Sequence, residues 1–247
     1  MAGLTSAQKA QYESDGYVLV EGVFTPDECD AVVDTMMALH AGRRRLEGFK
    51  PRQPDDWGRT HNQHLYDLVA MELLLHPRLR EPLRDCMNDE PDGVQTMYFW
   101  KGSQQRRHQD QYYLPGCMAA WVAFQDVSPE NGTIFVQPGS HRGRLLRQED
   151  FVSKDDVPAP LFGQHYDDAV DALFERNGLP ELPVIAKKGD VVFFHGVLIH
   201  RGGPITDSGA FRHVIANHYI PRGFTGWPYS GWPRIAFDGT RRLGNGG

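Results

Sequence analysis

The chain has 247 residues, 40% of them hydrophobic and 23% charged, enough to build one domain around a sizeable core. Its formal net charge of −6 gives no general attraction to nucleic acid or to an anionic membrane, and no apolar run approaches the roughly 20 residues needed to span a bilayer. Met1 to Ala10 lacks the apolar core of a signal peptide. Cys29, Cys86 and Cys117 form no CxxC pair, so a cytoplasmic protein with reduced thiols is expected.

In chain order, Thr5 to Ser14 reads as a short helix and Gly16 to Val20 as a strand. Thr25-Pro26-Asp27-Glu28 is a helix start: Thr25 can cap, Pro26 suits the first turn, and Glu28 can reach back to close a capping box. Val32, Val33, Met36, Met37 and Leu39 follow at helical spacing. Tyr66 to Leu75 and Pro77 to Met87 predict two further helices meeting near His76-Pro77, with their Leu and Met residues in the core. From Gly93 the pattern changes to short β-prone runs: Val94–Trp100, Met118–Phe124, Ile134–Val136, Val191–Phe194, Val197–Ile199 and Val214–Ile220. Gly, Pro, Asn and Asp punctuate them.

A helical N-terminal support over about residues 1–92, followed by many short strands, predicts a mainly β fold with flanking helices. The expected form is a double-stranded β-helix, the jelly-roll or cupin-like arrangement, over about residues 93–222. The 26 Gly and 17 Pro agree with a turn-rich β fold. Inside it, about residues 144–188 form an irregular, partly acidic insertion holding Asp155-Asp156 and Asp167-Asp168. A helix is expected there over Asp167–Asn177, ended by Gly178, and an insertion of this length is a candidate lid. With the C-terminal segment 223–247, the whole chain 1–247 reads as a single domain.

His108-Gln109-Asp110, followed by His200 and Arg212, is the most informative pattern. An HxD tripeptide alone means little, because 11 His in 247 residues yield about one by chance. His165-Tyr166-Asp167 is a second. Context separates them. Residues i and i+2 of an extended chain point to the same side, so His108 and Asp110 can meet one metal while Gln109 points away. His200 ends the run Val197-Leu198-Ile199, which puts it on a different strand facing the same interior. Two histidines and a carboxylate on one face of an Fe(II) ion leave the opposite face open to oxygen and an organic ligand. The second tripeptide sits in the polar insertion, where Asp167 has an ordinary capping and dipole role.

Further segments carry a resemblance: Met97-Tyr98-Phe99-Trp100-Lys101, Trp121-Val122-Ala123-Phe124-Gln125-Asp126, Glu130-Asn131-Gly132-Thr133, Gln137-Pro138-Gly139-Ser140-His141 and Phe194-His195-Gly196-Val197-Leu198-Ile199-His200. Together with His108-Gln109-Asp110 they resemble, in order, the phytanoyl-CoA dioxygenase family. That resemblance implies His108, Asp110 and His200 as iron ligands, Arg212 on the 2-oxoglutarate carboxylate, and Met97 and Trp121 lining the cosubstrate pocket. Fe(II), 2-oxoglutarate and O2 are the implied cofactors. The implied reaction is hydroxylation of an unactivated C–H bond in a small-molecule or acyl substrate, with release of succinate and CO2. Related halogenases replace the carboxylate ligand by a small residue, so Asp110 favours hydroxylation, desaturation or ring formation. Two positions depart from the family pattern. Gly202 stands where many members carry Ser, and Ile205 where Asn is frequent.

Other readings remain open on the residues alone. A metal-dependent hydrolase or isomerase could use the same three ligands on Zn(II) with no need of Arg212, and a non-catalytic metal- or ligand-binding protein is the third class. Arg106-Arg107 and Tyr112-Tyr113 flank the metal pair. The arginines can draw an anionic substrate or form a solvated rim. Trp227, Tyr229 and Trp232 can cover an apolar ligand, form a dimer contact or simply pack. His141 reads as a structural histidine, while His195, His213 and His218 read either as structural histidines or as candidates for orienting a ligand. Arg201 should point away from His200 along the strand. No feature sets an oligomeric state.

Overall fold

The computed structural model describes residues 2–53, 58–152, 160–207 and 209–243; Asp155-Asp156 lie outside these. Among the described residues the α-helices are α1 (Ser6–Asp15), α2 (Pro26–His40), α3 (Leu68–Leu74), α4 (Pro77–Met87) and α5 (Gln164–Asn177). The strands are β1 (Tyr17–Val20), β2 (Pro91–Phe99), β3 (Met118–Ala123), β4 (Ile134–Val136), β5 (Leu182–Pro183), β6 (Val191–His195), β7 (His200–Gly202), β8 (Val214–Pro221), β9 (Arg234–Ala236) and β10 (Arg241–Arg242). A seven-stranded antiparallel sheet runs β1-β6-β3-β8-β2-β9-β10, and a three-stranded sheet runs β5-β4-β7. This is the mainly β, jelly-roll architecture with flanking helices that the sequence predicts.

Burial on both faces explains why the central strands are apolar throughout. In β3, Ala119, Trp121 and Ala123 face one core while Met118, Ala120 and Val122 face another. The same alternation sends Met97, Phe99, Val192, Phe194, Val214 and Ala216 toward the small sheet, where Ile134 and Val136 meet them. Tyr98, Val191, Phe193, Ile215 and Tyr219 turn the other way, onto Met36 and Leu39 of α2, Leu74 of α3, and Leu79 and Leu83 of α4. Each of these fully buried Leu and Met side chains contributes about 1.5–3 kcal/mol by leaving water. The N-terminal helices therefore back the large sheet, and its other face is left to build a site.

The helix starts follow their local chemistry. Thr25 accepts from the Glu28 amide at 3.2 Å while the Glu28 carboxylate accepts from the Thr25 amide at 2.8 Å, the reciprocal cap read from the sequence. Two expectations change. Val197–Ile199 is not a strand: it lies in the turn between β6 and β7, and His200 begins β7 instead of ending a longer run. Helix α5 starts at Gln164 behind Gly163, so Asp167 sits in its first turn and caps nothing. Within the insertion, Tyr166, Val170 and Leu173 of α5 pack with Leu146 and Ile199, making this part a wall of the fold. All three cysteines are free. Among the described residues no helix is long and apolar enough to cross a membrane.

Candidate metal centre

His108 and His200 are directly opposite each other, exchanging backbone hydrogen bonds of 2.9 and 3.1 Å. This pairing adds the 108–109 segment to the exposed edge of β7. Gln109 keeps extended backbone angles (φ −119°, ψ 122°) before a 3-10 turn begins at Asp110, so His108 and Asp110 share one side. The Nε2 atoms of His108 and His200 lie 3.5 and 3.8 Å from Asp110 Oδ1. All three residues are buried, and their ligand atoms fall within 4.8 Å of one another. His108 Nδ1 is 2.8 Å from the Arg106 carbonyl and His200 Nδ1 is 3.0 Å from the Leu198 carbonyl. An N–H donated to each carbonyl leaves both Nε2 lone pairs facing Asp110, the tautomer a metal needs.

Electrostatics agree with that donor set. Burial, reinforced by His200, draws the His108 imidazole down to about 3, so it is neutral at physiological pH. Burial alone would raise the Asp110 carboxyl; His200, His218 and His108 outweigh it and hold the group well below the ordinary carboxylate range. Two neighbours fix its plane. Tyr113 donates its hydroxyl to Oδ1 at 3.0 Å, and His218 Nε2 lies 3.2 Å from Oδ2. Two imidazoles with their Nε2 atoms facing an oriented carboxylate suit a divalent first-row cation such as iron, with the remaining directions open.

The sequence left His218 open between a structural and a ligand-orienting role, and the contact decides for the second; Tyr113 was not assigned its contact. The alternation Val214, Ala216, His218 along β8 was the available signal, because the first two face the site. Gln109 does point away from the ligands, as expected, but it is no spectator. Its amide nitrogen donates to the carbonyls of Arg144 and Val197, both at 2.9 Å, and its oxygen accepts from the Leu146 amide at 2.9 Å. The Gln109 backbone N–H donates to the Tyr166 hydroxyl.

Beside the triad, Met97, Phe99, Trp121, Ile134, Ala216 and Arg212 line the same cavity. Arg212 is 1% exposed, which is extreme for a guanidinium. Its Nη1 donates to the Gly132 carbonyl at 2.6 Å, and its charge lies 5.2 and 5.8 Å from the Phe99 and Trp121 ring centres. No carboxylate pairs with it among the described residues, and its buried Nε has no partner. Burial, with Arg59 adding repulsion, pulls its pKa to about 9. A cation buried without an anion is costly; a dicarboxylate presented beside the triad would relieve it. The Glu130-Asn131-Gly132 turn thus holds Arg212 through the Gly132 carbonyl. Gly132 (φ 83°) is pressed by Ile205, whose Cγ1 would lie 2.9 Å from an added Cβ.

The family departures have a packing reason. A Cβ at Gly202 would come within 2.9 Å of the backbone nitrogens of Gln104 and Gln105, and the Gly202 amide donates to the Gln105 carbonyl at 2.9 Å. The segment carrying Ser103 and Gln105 crosses directly over this glycine, and both residues line the cavity.

Other sequence candidates fall elsewhere. His165 binds the Pro160 carbonyl and Asp167 pairs with Arg106, away from the triad. Arg106 and Arg107 face Asp167, Asp171 and Glu181, so their charge is matched within the protein and gives no draw on an anion. Arg201 points away, onto Glu181 and the Phe135 ring. Tyr112 stacks on Tyr166. Trp227, Tyr229 and Trp232 pack together with Leu114, Val94 and Ile220. His195 accepts from the Val197 amide, His213 meets the Tyr98 hydroxyl, and His141 approaches the Glu13 carbonyl; none of these contacts is with a triad ligand.

Comparison with known proteins agrees with this geometry. The sequence profile described as phytanoyl-CoA dioxygenase (PhyH) matches residues 12–214. A zebrafish (Danio rerio) relative, phytanoyl-CoA dioxygenase domain-containing protein 1, is 25% identical, with 93% of this chain and 94% of that protein covered. Among solved structures, EctD from S. alaskensis with 2-oxoglutarate and 5-hydroxyectoine superposes with a TM-score of 0.67 at 22% identity, covering 89% of this chain and 77% of that one. The epimerase SnoN, in complex with Fe3+, alpha ketoglutarate and nogalamycin RO, gives 0.64 at 20% identity, covering 87% and 82%. The fold, the buried His-Asp-His set and the profile match lead to one assignment: the chain belongs to the phytanoyl-CoA dioxygenase family of iron- and 2-oxoglutarate-dependent oxygenases.

Proposed function

We propose that the protein hydroxylates an unactivated C–H bond of a small-molecule or acyl substrate, R–H + O2 + 2-oxoglutarate giving R–OH + succinate + CO2. The observation that carries this reading is Arg212, a buried guanidinium beside the triad with no acidic partner among the described residues. His108, Asp110 and His200 would hold the iron, and Arg212 would form a forked pair with the distal carboxylate of 2-oxoglutarate. Met97 and Trp121 would wall that cosubstrate. When bound, iron and 2-oxoglutarate supply the oxidising power; the chain's own residues position and exclude.

Asp110 has two tasks in this scheme. It fills the coordination position that halogenating relatives leave free, and its link to His218 fixes the direction of its oxygens. The aromatic walls Phe99, Trp121 and Phe194 keep water from the cavity, which strengthens every charge interaction inside it. A zinc hydrolase would leave the charge of Arg212 without a purpose.

Anaerobic addition of 2-oxoglutarate to the Fe(II)-loaded protein should produce a weak visible charge-transfer band. Arg212→Ala should raise the 2-oxoglutarate concentration needed by about 10- to 100-fold, the loss of one charge-assisted forked contact, with iron binding retained. A wild-type protein that binds iron yet gives no band sinks the reading. Under 18O2, one labelled oxygen in the product identifies hydroxylation; an unlabelled product two hydrogens lighter refutes it in favour of desaturation or ring closure.

A further inference from the structure

One stretch of the cavity wall, the loop from Lys101 to Arg107, belongs to neither sheet. It starts over the anchor of Arg212: an added Cβ at Gly102 would lie 3.2 Å from the Gly132 carbonyl, the group that accepts from the Arg212 guanidinium. Further on it passes beside a metal ligand, where the Gly202 amide, two residues past His200, donates to the Gln105 carbonyl at 2.9 Å. Between these points Ser103 and Gln105 line the metal cavity together with Arg212. Ser103 is exposed, and its hydroxyl accepts from the Gln105 N–H at 3.3 Å, so it serves the turn. Gln105 is half-buried, and its side chain is clamped: Arg59 Nη1 donates to Oε1 at 2.5 Å. A guanidinium has only donors, whereas a primary amide has an acceptor arm and a donor arm. Arg59 therefore fixes which way round the amide lies. The donor arm, Nε2, has no acceptor among the described residues.

We infer that Gln105 is a cosubstrate-binding residue, donating from Nε2 to the distal carboxylate of 2-oxoglutarate beside Arg212, and that it helps the site choose a 2-oxo diacid over a 2-oxo monoacid. The inference rests on the oxygenase reading above and adds to it a residue and a selectivity.

A carboxylate has two oxygens and about four lone-pair sites. The forked pair with Arg212 uses two of them, and the others need donors in a cavity that excludes water. Much of the lining has none to give: Met97, Phe99, Ile134, Phe194 and Ala216 carry no polar hydrogen on their side chains. Position 202 cannot help either. Gly202 has no side chain, and the space for one is filled by the Gln104 and Gln105 backbone nitrogens, each 2.9 Å from an added Cβ. Arg212 and Gln105 share a neighbourhood as well. Arg212 and Arg59 reach the same Phe99 ring, at 5.2 and 5.6 Å, and Arg59 holds Gln105. A guanidinium fork with an amide donor next to it makes a recess for one carboxylate, whose donors a 2-oxo monoacid would leave unpaired.

The test is a titration of the Fe(II)-loaded protein under nitrogen, followed by the charge-transfer band. It is run with 2-oxoglutarate and separately with 2-oxobutyrate, which offers the same chelating group without the distal carboxylate. Wild type should prefer 2-oxoglutarate. Gln105→Ala should raise the 2-oxoglutarate midpoint about tenfold, the scale of one hydrogen bond to a charged group, and leave the 2-oxobutyrate midpoint within about twofold. The second result also shows that the variant folds and holds iron. Made in an Arg59→Ala background, Gln105→Ala should still cost about threefold, less than in wild type because the amide has lost its clamp. An unchanged 2-oxoglutarate midpoint in Gln105→Ala overturns the inference. Equal losses for the two acids also overturn it, assigning Gln105 to the shape of the metal site. So does the absence of any further cost in the Arg59→Ala background, which would reduce Gln105 to a prop for Arg59. Failure of the oxygenase reading shows separately, as wild type that binds iron but gives no band with 2-oxoglutarate.

Discussion

The two walls of the cavity are held in different ways. The large-sheet wall, with Met97, Phe99, Trp121 and Ala216, sits in long ladders: β2 and β8 pair over eight residue positions, β3 and β8 over six, β3 and β6 over five. The metal-ligand wall has no such ladder. There β4 and β7 pair over three positions, and His108 joins β7 through one bridge. Its rigidity comes from buried side chains: Gln109 to three backbone groups, Ser140 Oγ to the Ile199 amide at 2.9 Å, and Gln137 Nε2 to the carbonyls of Phe174 and Leu179. A ladder shares its load over many equivalent bonds, whereas a stitch depends on one residue. Single substitutions should therefore cost more on the metal side.

The largest effect is expected at Asp110. Asp110→Ala should abolish substrate oxidation and weaken iron binding by about 100-fold or more, because it removes a ligand of the metal; retained activity in a metal titration with turnover assay would remove Asp110 from the set. Next comes Gln109→Ala, which touches no metal. It strands three backbone groups, two of them buried, and should destabilise the protein by about 3 kcal/mol, lowering the melting temperature by about 10 °C. A shift of under a degree by calorimetry would show that the stitch is dispensable and the contrast between the walls false. The smallest effect is His218→Phe, on the ladder side. It should lower iron affinity by about tenfold through the lost partner of Asp110, with the fold kept; an unchanged affinity by chelator competition would make the 3.2 Å contact incidental.

What could be read from the sequence follows the same division. Helix α4 and strand β4 match their expected bounds, because Pro77 opens a helix locally and Ile134–Val136 sits between turn residues. The triad itself was legible through the i, i+2 rule. Strands β9 and β10 were not, because nothing local demands them. β9 pairs with Asp92-Gly93 of β2, and the fully buried Asp92 meets Arg222, Arg234 and Arg242, residues more than a hundred positions away. The roles of His218 and Tyr113 were hidden for a similar reason, since an ordinary buried histidine and one that steers a carboxylate look alike in one dimension. Val197–Ile199 misled because Leu198 and Ile199 are buried in a turn, where apolar content mimics a strand. The pairing of Arg59 with Phe99 of β2 was invisible because it is set by backbone hydrogen bonds, which leave no pattern in side-chain polarity.

Gln109 stands between two ligands in the chain and grips Arg144 and Leu146, the first residues of the insertion. The start of the insertion and the metal wall are consequently one mechanical unit. Any ligand that binds only the ordered form of that wall stabilises everything rigidly attached to it. Occupancy of the metal should therefore be felt as protection of the backbone near Leu146 from solvent exchange, far along the sequence from His200. If the insertion moves over a substrate, its pivot lies beyond Leu146, since a hinge any nearer would drag His108 and Asp110 apart.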